Sequence, residues 1–153
     1  MTSQPTKAGS PLDVAEQVRR MVTGRYGIAF ADLFAADGVL EYPFAAPGTP
    51  TRLAGREQIR AYVDAVSARS RRAIEIDDVT LVAHEGVDPE VVVVEIAHSG
   101  TSHALGGPYR FEAVGVIRVR DGEIVHYRDY MNPVAMAQLV GATAELATAL
   151  GAG

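Results

Sequence analysis

The sequence predicts an α+β fold in which helices lie on one face of a mainly antiparallel sheet. Three observations predict it. Apolar residues recur at helical spacing in the first part of the chain, four runs between Ile74 and Met131 change to a period of two, and no linker divides the 153 residues. That length suits one compact domain, expected over residues 11–153.

Residues 1–10 are polar with Pro5 and Gly9, and are expected to form a disordered arm. Ser10-Pro11-Leu12-Asp13 then reads as a helix start, with Ser10 as N-cap, Pro11 in the first turn and an acid three residues after the cap. Val14, Val18, Met21 and Val22 follow on one helical face. Gly24 and Gly27 interrupt the pattern, and Ile28–Ala35 is expected to resume it as a second short helix. The stretch from Glu41 to Pro50 holds three prolines in ten residues, so it reads as an ordered loop or edge segment. A third helix opens near Gly55, with Ile59, Tyr62, Val63 and Val66 on one face. Ile74–Val82, Glu90–Ser99, Tyr109–Arg120 and Glu123–Met131 read as strands, rich in β-branched and aromatic residues. Asn132-Pro133 is a second cap-and-proline pair, predicting an Ala-rich helix to about Leu150.

Composition excludes several chemistries. Fourteen Lys and Arg against nineteen Asp and Glu leave a net charge of −5, which argues against a nucleic-acid partner. The chain has no cysteine, so disulfides, thiolate nucleophiles and cysteine-held metals are ruled out, and a cytoplasmic location is expected. No apolar run approaches the roughly 18 residues of a membrane span, so no membrane partner is expected. His84, His98, His103 and His126 lack metal-site spacing, and nucleotide-binding and nucleophile-elbow motifs are absent. No metal and no cofactor are therefore expected.

The last hairpin indicates which side chains face the core. Asp121-Gly122 could form a two-residue turn, or belong to a three-residue loop closed by a glycine bulge. A one-residue slip exchanges the two faces. On one strand Tyr109, Phe111, Ala113, Gly115 and Ile117 are uncharged, whereas Arg110, Glu112, Arg118 and Arg120 share the other face. The three-residue loop keeps the charges outside. It sets Ile117 opposite Val125, Gly115 opposite Tyr127, Ala113 opposite Asp129, Phe111 opposite Met131, and Glu112 opposite Tyr130. Asp129 is then the one formal charge on the inner face of the hairpin. An ionised carboxylate there is costly, so its pKa should rise toward neutrality, as a general acid/base requires. On the strand before, His98 shares a face with Val92, Val94 and Ile96 and is expected to join Asp129. Tyr42 is expected to close the same cavity as a phenolic donor.

These residues resemble the SnoaL-like proteins of the nuclear-transport-factor-two-like superfamily, from about Leu12 to Gly141. The carriers are Leu33-Phe34-Ala35-Ala36-Asp37-Gly38-Val39-Leu40-Glu41-Tyr42-Pro43, Leu53-Ala54-Gly55-Arg56-Glu57-Gln58-Ile59, Gly107-Pro108-Tyr109-Arg110-Phe111, the Arg118–Ile124 hairpin, and Tyr127-Arg128-Asp129-Tyr130-Met131-Asn132-Pro133. The resemblance implies a cone-shaped fold whose curved sheet encloses a cavity. Tyr127-Arg128-Asp129-Tyr130 is similar to a segment of limonene-epoxide hydrolase in which the aspartate is catalytic, although that enzyme's arginine and second aspartate fall near Ile96 and His98. Asp129-Tyr130-Met131-Asn132-Pro133 is similar to the phenazine-biosynthesis A/B proteins, whose acid is functional. The three functional positions of ketosteroid isomerase fall on Tyr42, Gln17 and Gly115, so its mechanism is not implied.

The expected function is cofactor-independent acid/base catalysis, as a cyclase or isomerase, on a hydrophobic polyketide- or terpenoid-like intermediate. Asp129, His98 and Tyr42 would be catalytic, with Tyr109, Phe111, Gly115, Tyr127, Met131 and Ile96 binding substrate. Ala113 and Gly115 are expected to leave room for a ring system. An epoxide hydrolase or epoxide-opening cyclase, and a non-catalytic small-molecule-binding module, are the alternatives. A homodimer through the outer sheet face is expected from Val114 and Val116, which sit there between charges.

Overall fold

The computed structural model describes residues 9–23 and 29–152. The first helix, α1, spans Pro11–Val22 with the expected capping box: the Ser10 hydroxyl accepts from the Asp13 N–H while Asp13 reaches back to the Ser10 N–H. Gly24–Ile28, and with them the start of the expected second helix, lie outside the described residues, as do residues 1–8 of the expected arm. What remains of that helix is one 3₁₀ turn, Phe30–Leu33, followed at once by strand β1, Phe34–Glu41. The apolar pair Leu33-Phe34 mimics helical spacing, but Phe34 and Leu40 are fully buried against the sheet and pull the segment into it. The proline-rich stretch is a loop, and it leads into a short edge strand, β2, Arg52–Ala54. Helix α2, Arg56–Ala73, starts after Gly55 as expected.

Strands β3 (Ile74–Glu85), β4 (Val91–Ser102), β5 (Gly107–Arg120) and β6 (Glu123–Met131) complete a six-stranded sheet in the order β2-β1-β6-β5-β4-β3. Every neighbouring pair is antiparallel except β1 with β6. Helix α1 lays Val14, Ala15 and Val18, and α2 lays Ile59, on the concave face, against Val92, Val94, Ile117, Ile124 and Tyr127. The expected C-terminal helix is two helices: α3, Pro133–Val140, capped by Asn132, and α4, Thr143–Gly151. Gly141 divides them at φ 73°, a left-handed conformation that ends helices readily only at glycine.

A second apolar cluster (Ile74, Tyr109, Phe111 and Leu139) forms where α3 meets the sheet. Ser102, wholly buried at the end of β4, ties it down: its hydroxyl donates to the Leu139 carbonyl at 2.8 Å and accepts from the Leu105 N–H at 3.2 Å. Ser102→Ala is expected to cost about 1–3 kcal/mol, because it strands the buried Leu139 carbonyl. Urea titration would measure it, and a change below a few tenths of a kcal/mol would remove this tether from the account.

The β5–β6 hairpin reaches the expected facing by another route. Asp121 and Gly122 form a two-residue turn with φ 53° and 79°, Arg120 pairs with Glu123, and Val119 with Ile124. The register then shifts at Val125, so that Arg118 pairs with His126 and Ile117 with Tyr127. A bulge in the strand, not a longer loop, keeps Tyr127, Asp129 and Met131 on the concave side. The pairs are accordingly displaced by two residues: Asp129 opposes Gly115 and Met131 opposes Ala113. Glu112 does not meet Tyr130, which pairs with Val114; it binds Arg110 at 2.7 Å instead.

Candidate active site

Asp129 sits one pleat inside the end of β6, where β5 supplies Gly115 on one side and the chain leaving β1 supplies Tyr42 on the other. The β1–β6 pairs Leu40–Tyr127 and Glu41–Arg128 run directly into that position. Gly115 pairs with fully buried Val94 on β4, so the floor around the carboxylate is apolar. Among the described residues no hydrogen bond or ion pair reaches it, although the surface arginines engage acids freely. Burial without compensation raises the Asp129 pKa from 3.8 to about 6.

Two phenols face this carboxylate. Tyr127 is 5% exposed, and its ring packs edge-on to Phe30 with centroids 5.5 Å apart. Its hydroxyl occupies the space that Gly115 leaves open: a Cβ on Gly115 would stand 2.8 Å from that oxygen and 3.0 Å from Val94 Cγ2. The room expected for a substrate ring at Gly115 is therefore taken by Tyr127. Burial, then the charge of Asp129, then Tyr42 raise the Tyr127 pKa well above the ordinary phenol value. Tyr42 is raised for the same reasons, by burial first, then Asp129, then Tyr62. Both phenols keep their protons at neutral pH.

A pocket of about 400 Å³ lined by Tyr42, Tyr62, Val66, Met131, Met136 and Leu146 adjoins the site and shares Tyr42 with it, while Asp129 and Tyr127 are not in its lining. It runs between the proline-rich loop and the C-terminal helices, where Glu145 of α4 pairs with Arg69 of α2 at 2.9 Å. Tyr62, 5.9 Å from the Tyr42 ring, belongs to this pocket. Its helical spacing marks it as an inward residue of α2, but spacing cannot distinguish a cavity wall from a packed core.

His98 does not join Asp129. It pairs with Phe111, whereas Asp129 lies in the row of Gly115 and Val94, two pleats further along, or roughly 14 Å of strand. The intervening row is Ile96, Ala113 and Met131. The partner of His98 is Tyr109, whose hydroxyl lies 2.7 Å from Nδ1, while the Phe111 ring stacks at 5.3 Å. Burial lowers the His98 pKa; burial and then Asp77 push Tyr109 up to about 12.

The opposite face of the sheet carries a separate groove of about 640 Å³, where Thr80, Val82, Glu95, Glu112, Val114 and Tyr130 meet. Val114 is 38% exposed there. No helix among the described residues is long and apolar enough to cross a membrane.

Comparison with known proteins agrees with this architecture. The SnoaL-like domain family matches residues 14–127. An uncharacterised PhzA/B-like protein of Pseudomonas aeruginosa is 35% identical over 112 residues, which are 73% of this chain and 77% of that protein. A Bacillus subtilis protein named as a candidate isomerase superposes with a TM-score of 0.74 at 26% identity, covering 86% of this chain and 93% of the other. A Catenulispora acidiphila protein of ketosteroid isomerase-like fold, solved with trimethylamine, gives a TM-score of 0.62 at 23% identity, covering 94% and 98%. The cone-shaped architecture expected from the sequence is the one observed.

Proposed function

This chain belongs to the SnoaL-like domain family, and on that premise we propose that it is a cofactor-independent acid/base catalyst, a cyclase or isomerase, for a hydrophobic natural-product intermediate. The observation that carries the reading is Asp129, a half-buried carboxylate with no charge partner among the described residues, which faces two protonated phenols. With a pKa of about 6 it is mostly ionised at pH 7, yet basic enough to take a proton from carbon next to a carbonyl and acidic enough to return it elsewhere. Tyr127 and Tyr42 donate hydrogen bonds to the oxygen on which charge develops. The apolar row Ile96, Ala113 and Met131 excludes water, which strengthens both interactions.

The test uses a probe that asks only for a positioned base. In 5-nitrobenzisoxazole, removal of the C3 proton breaks the N–O bond and releases a cyanophenolate. Turnover by the wild type that disappears in Asp129→Asn supports the proposal; equal turnover in both proteins overturns it. Tyr127→Phe and Tyr42→Phe are each expected to lower kcat roughly 10–100-fold with KM changed less, because their hydrogen bonds strengthen only as charge develops. A pure KM effect would assign these phenols to binding alone.

A further inference from the structure

We propose that His98 and Tyr109 form a second, oxygen-binding station on the concave face, which holds a neutral substrate oxygen (a carbonyl, ether or phenol) beyond the apolar row that separates it from Asp129. The proposal deepens the function above and rests on that reading, because it supplies the other end of the same substrate.

His98 Nδ1 and the Tyr109 hydroxyl share one hydrogen bond of 2.7 Å, and no other polar partner of either group occurs among the described residues. If the phenol donates, the imidazole proton lies on Nε2 and remains free. If Nδ1 donates, the phenol proton remains free instead. Either tautomer leaves one hydrogen-bond donor unused. Neither group carries charge near neutrality, since burial lowers His98 and raises Tyr109. A neutral, desolvated donor suits a neutral acceptor; a carboxylate or phosphate would bring an uncompensated charge into the same apolar surroundings.

Placement supplies the second half. His98 shares the concave face with Val94 and Ile96 and is only half-buried, while its flanking partners on that face, Val79 and Phe111, are buried. Phe111 packs into the cluster under α3 and fixes the imidazole by ring contact. Ile96 and Ala113 lie between this pair and Asp129. The concave face thus alternates polar, apolar and polar rows. That pattern fits a rigid ring system with oxygen at both ends and fixes which end meets Asp129.

The experiment compares two fluorescent ligands, 2-naphthol with one oxygen and 2,6-dihydroxynaphthalene with oxygens at opposite ends. Wild type is expected to bind the diol at least tenfold more tightly. In His98→Phe that ratio falls to near one, and His98→Gln, whose amide restores a donor, recovers most of it. No preference in the wild type, or an unchanged ratio in His98→Phe, overturns the station. Equal loss of both ligands also overturns it, because that is the signature of a packing residue. Circular dichroism confirms folding of each variant, and Tyr109→Phe provides an independent check if His98→Phe does not fold. The ratio is read at equilibrium, so it stands or falls separately from proton transfer, which is read from turnover in Asp129→Asn.

Discussion

Asp129→Asn is expected to reduce turnover of 5-nitrobenzisoxazole by at least ~100-fold and, at the same time, to stabilise the folded protein at pH 7. The two effects share one cause. The carboxyl pKa is 3.8 in an ordinary setting and about 6 in the fold, so the folded chain holds a proton that the unfolded chain has released between about pH 4 and pH 6. Folding stability therefore falls as pH rises through that window and is lower by about 2–3 kcal/mol above it. Asparagine is nearly isosteric and does not ionise, so the variant lacks this decline. Wild-type turnover should follow the opposite curve, rising with a midpoint near pH 6 as the base form appears. Thermal denaturation and rate measurements across pH 4–8 report both curves. A pH-independent rate, or a variant less stable than wild type at pH 7, would show that Asp129 is held by partners and is not poised for chemistry.

Gly100→Ala carries the largest expected loss of stability. Gly100 lies between Ile76 of β3 and Tyr109 of β5, at the point where the β3 register shifts between Ile76 and Asp78. A Cβ there would overlap the Glu75 carbonyl oxygen and stand 2.9 Å from its carbon and 3.1 Å from the Asp77 nitrogen. All three atoms are backbone, so no rotamer change relieves the contact and the bulged strand itself must move. A cost of about 3 kcal/mol or more is expected. Denaturant titration measures it, and a loss under 1 kcal/mol would mean that the strand yields easily. Because Tyr109 pairs with Gly100, the variant should also lose the diol preference assigned to the His98–Tyr109 pair.

Much of the architecture is legible locally. Ser10-Pro11 and Asn132-Pro133 mark helix starts because proline and a capping side chain satisfy the first turn whatever packs around it. The four long strands announce themselves by alternation. Strand β1 does not: Phe34-Ala35-Ala36-Asp37-Gly38 has no period of two, and its register with β6 is itself irregular. Gly141 lies within an Ala-rich run that reads as one helix, and its left-handed conformation turns that expected helix into two.

The candidate site divides in the same way. That Asp129 shares a face with Tyr127 and Met131 follows from the sequence alone, since side-chain parity along a strand is local; the bulge, and not the expected loop, makes that face the concave one. Its neighbours were decided by the tertiary structure. The register beyond Val125 combines a turn one residue tighter than expected with a one-residue bulge, and so stands two residues from the expected pairing. It thereby sets Gly115 opposite Asp129 and lets the Tyr127 hydroxyl fill the glycine's empty space. The separation of His98 from Asp129 was hidden for the same reason: composition and alternation show which face a residue takes, whereas distance along that face depends on register, a property of two strands together.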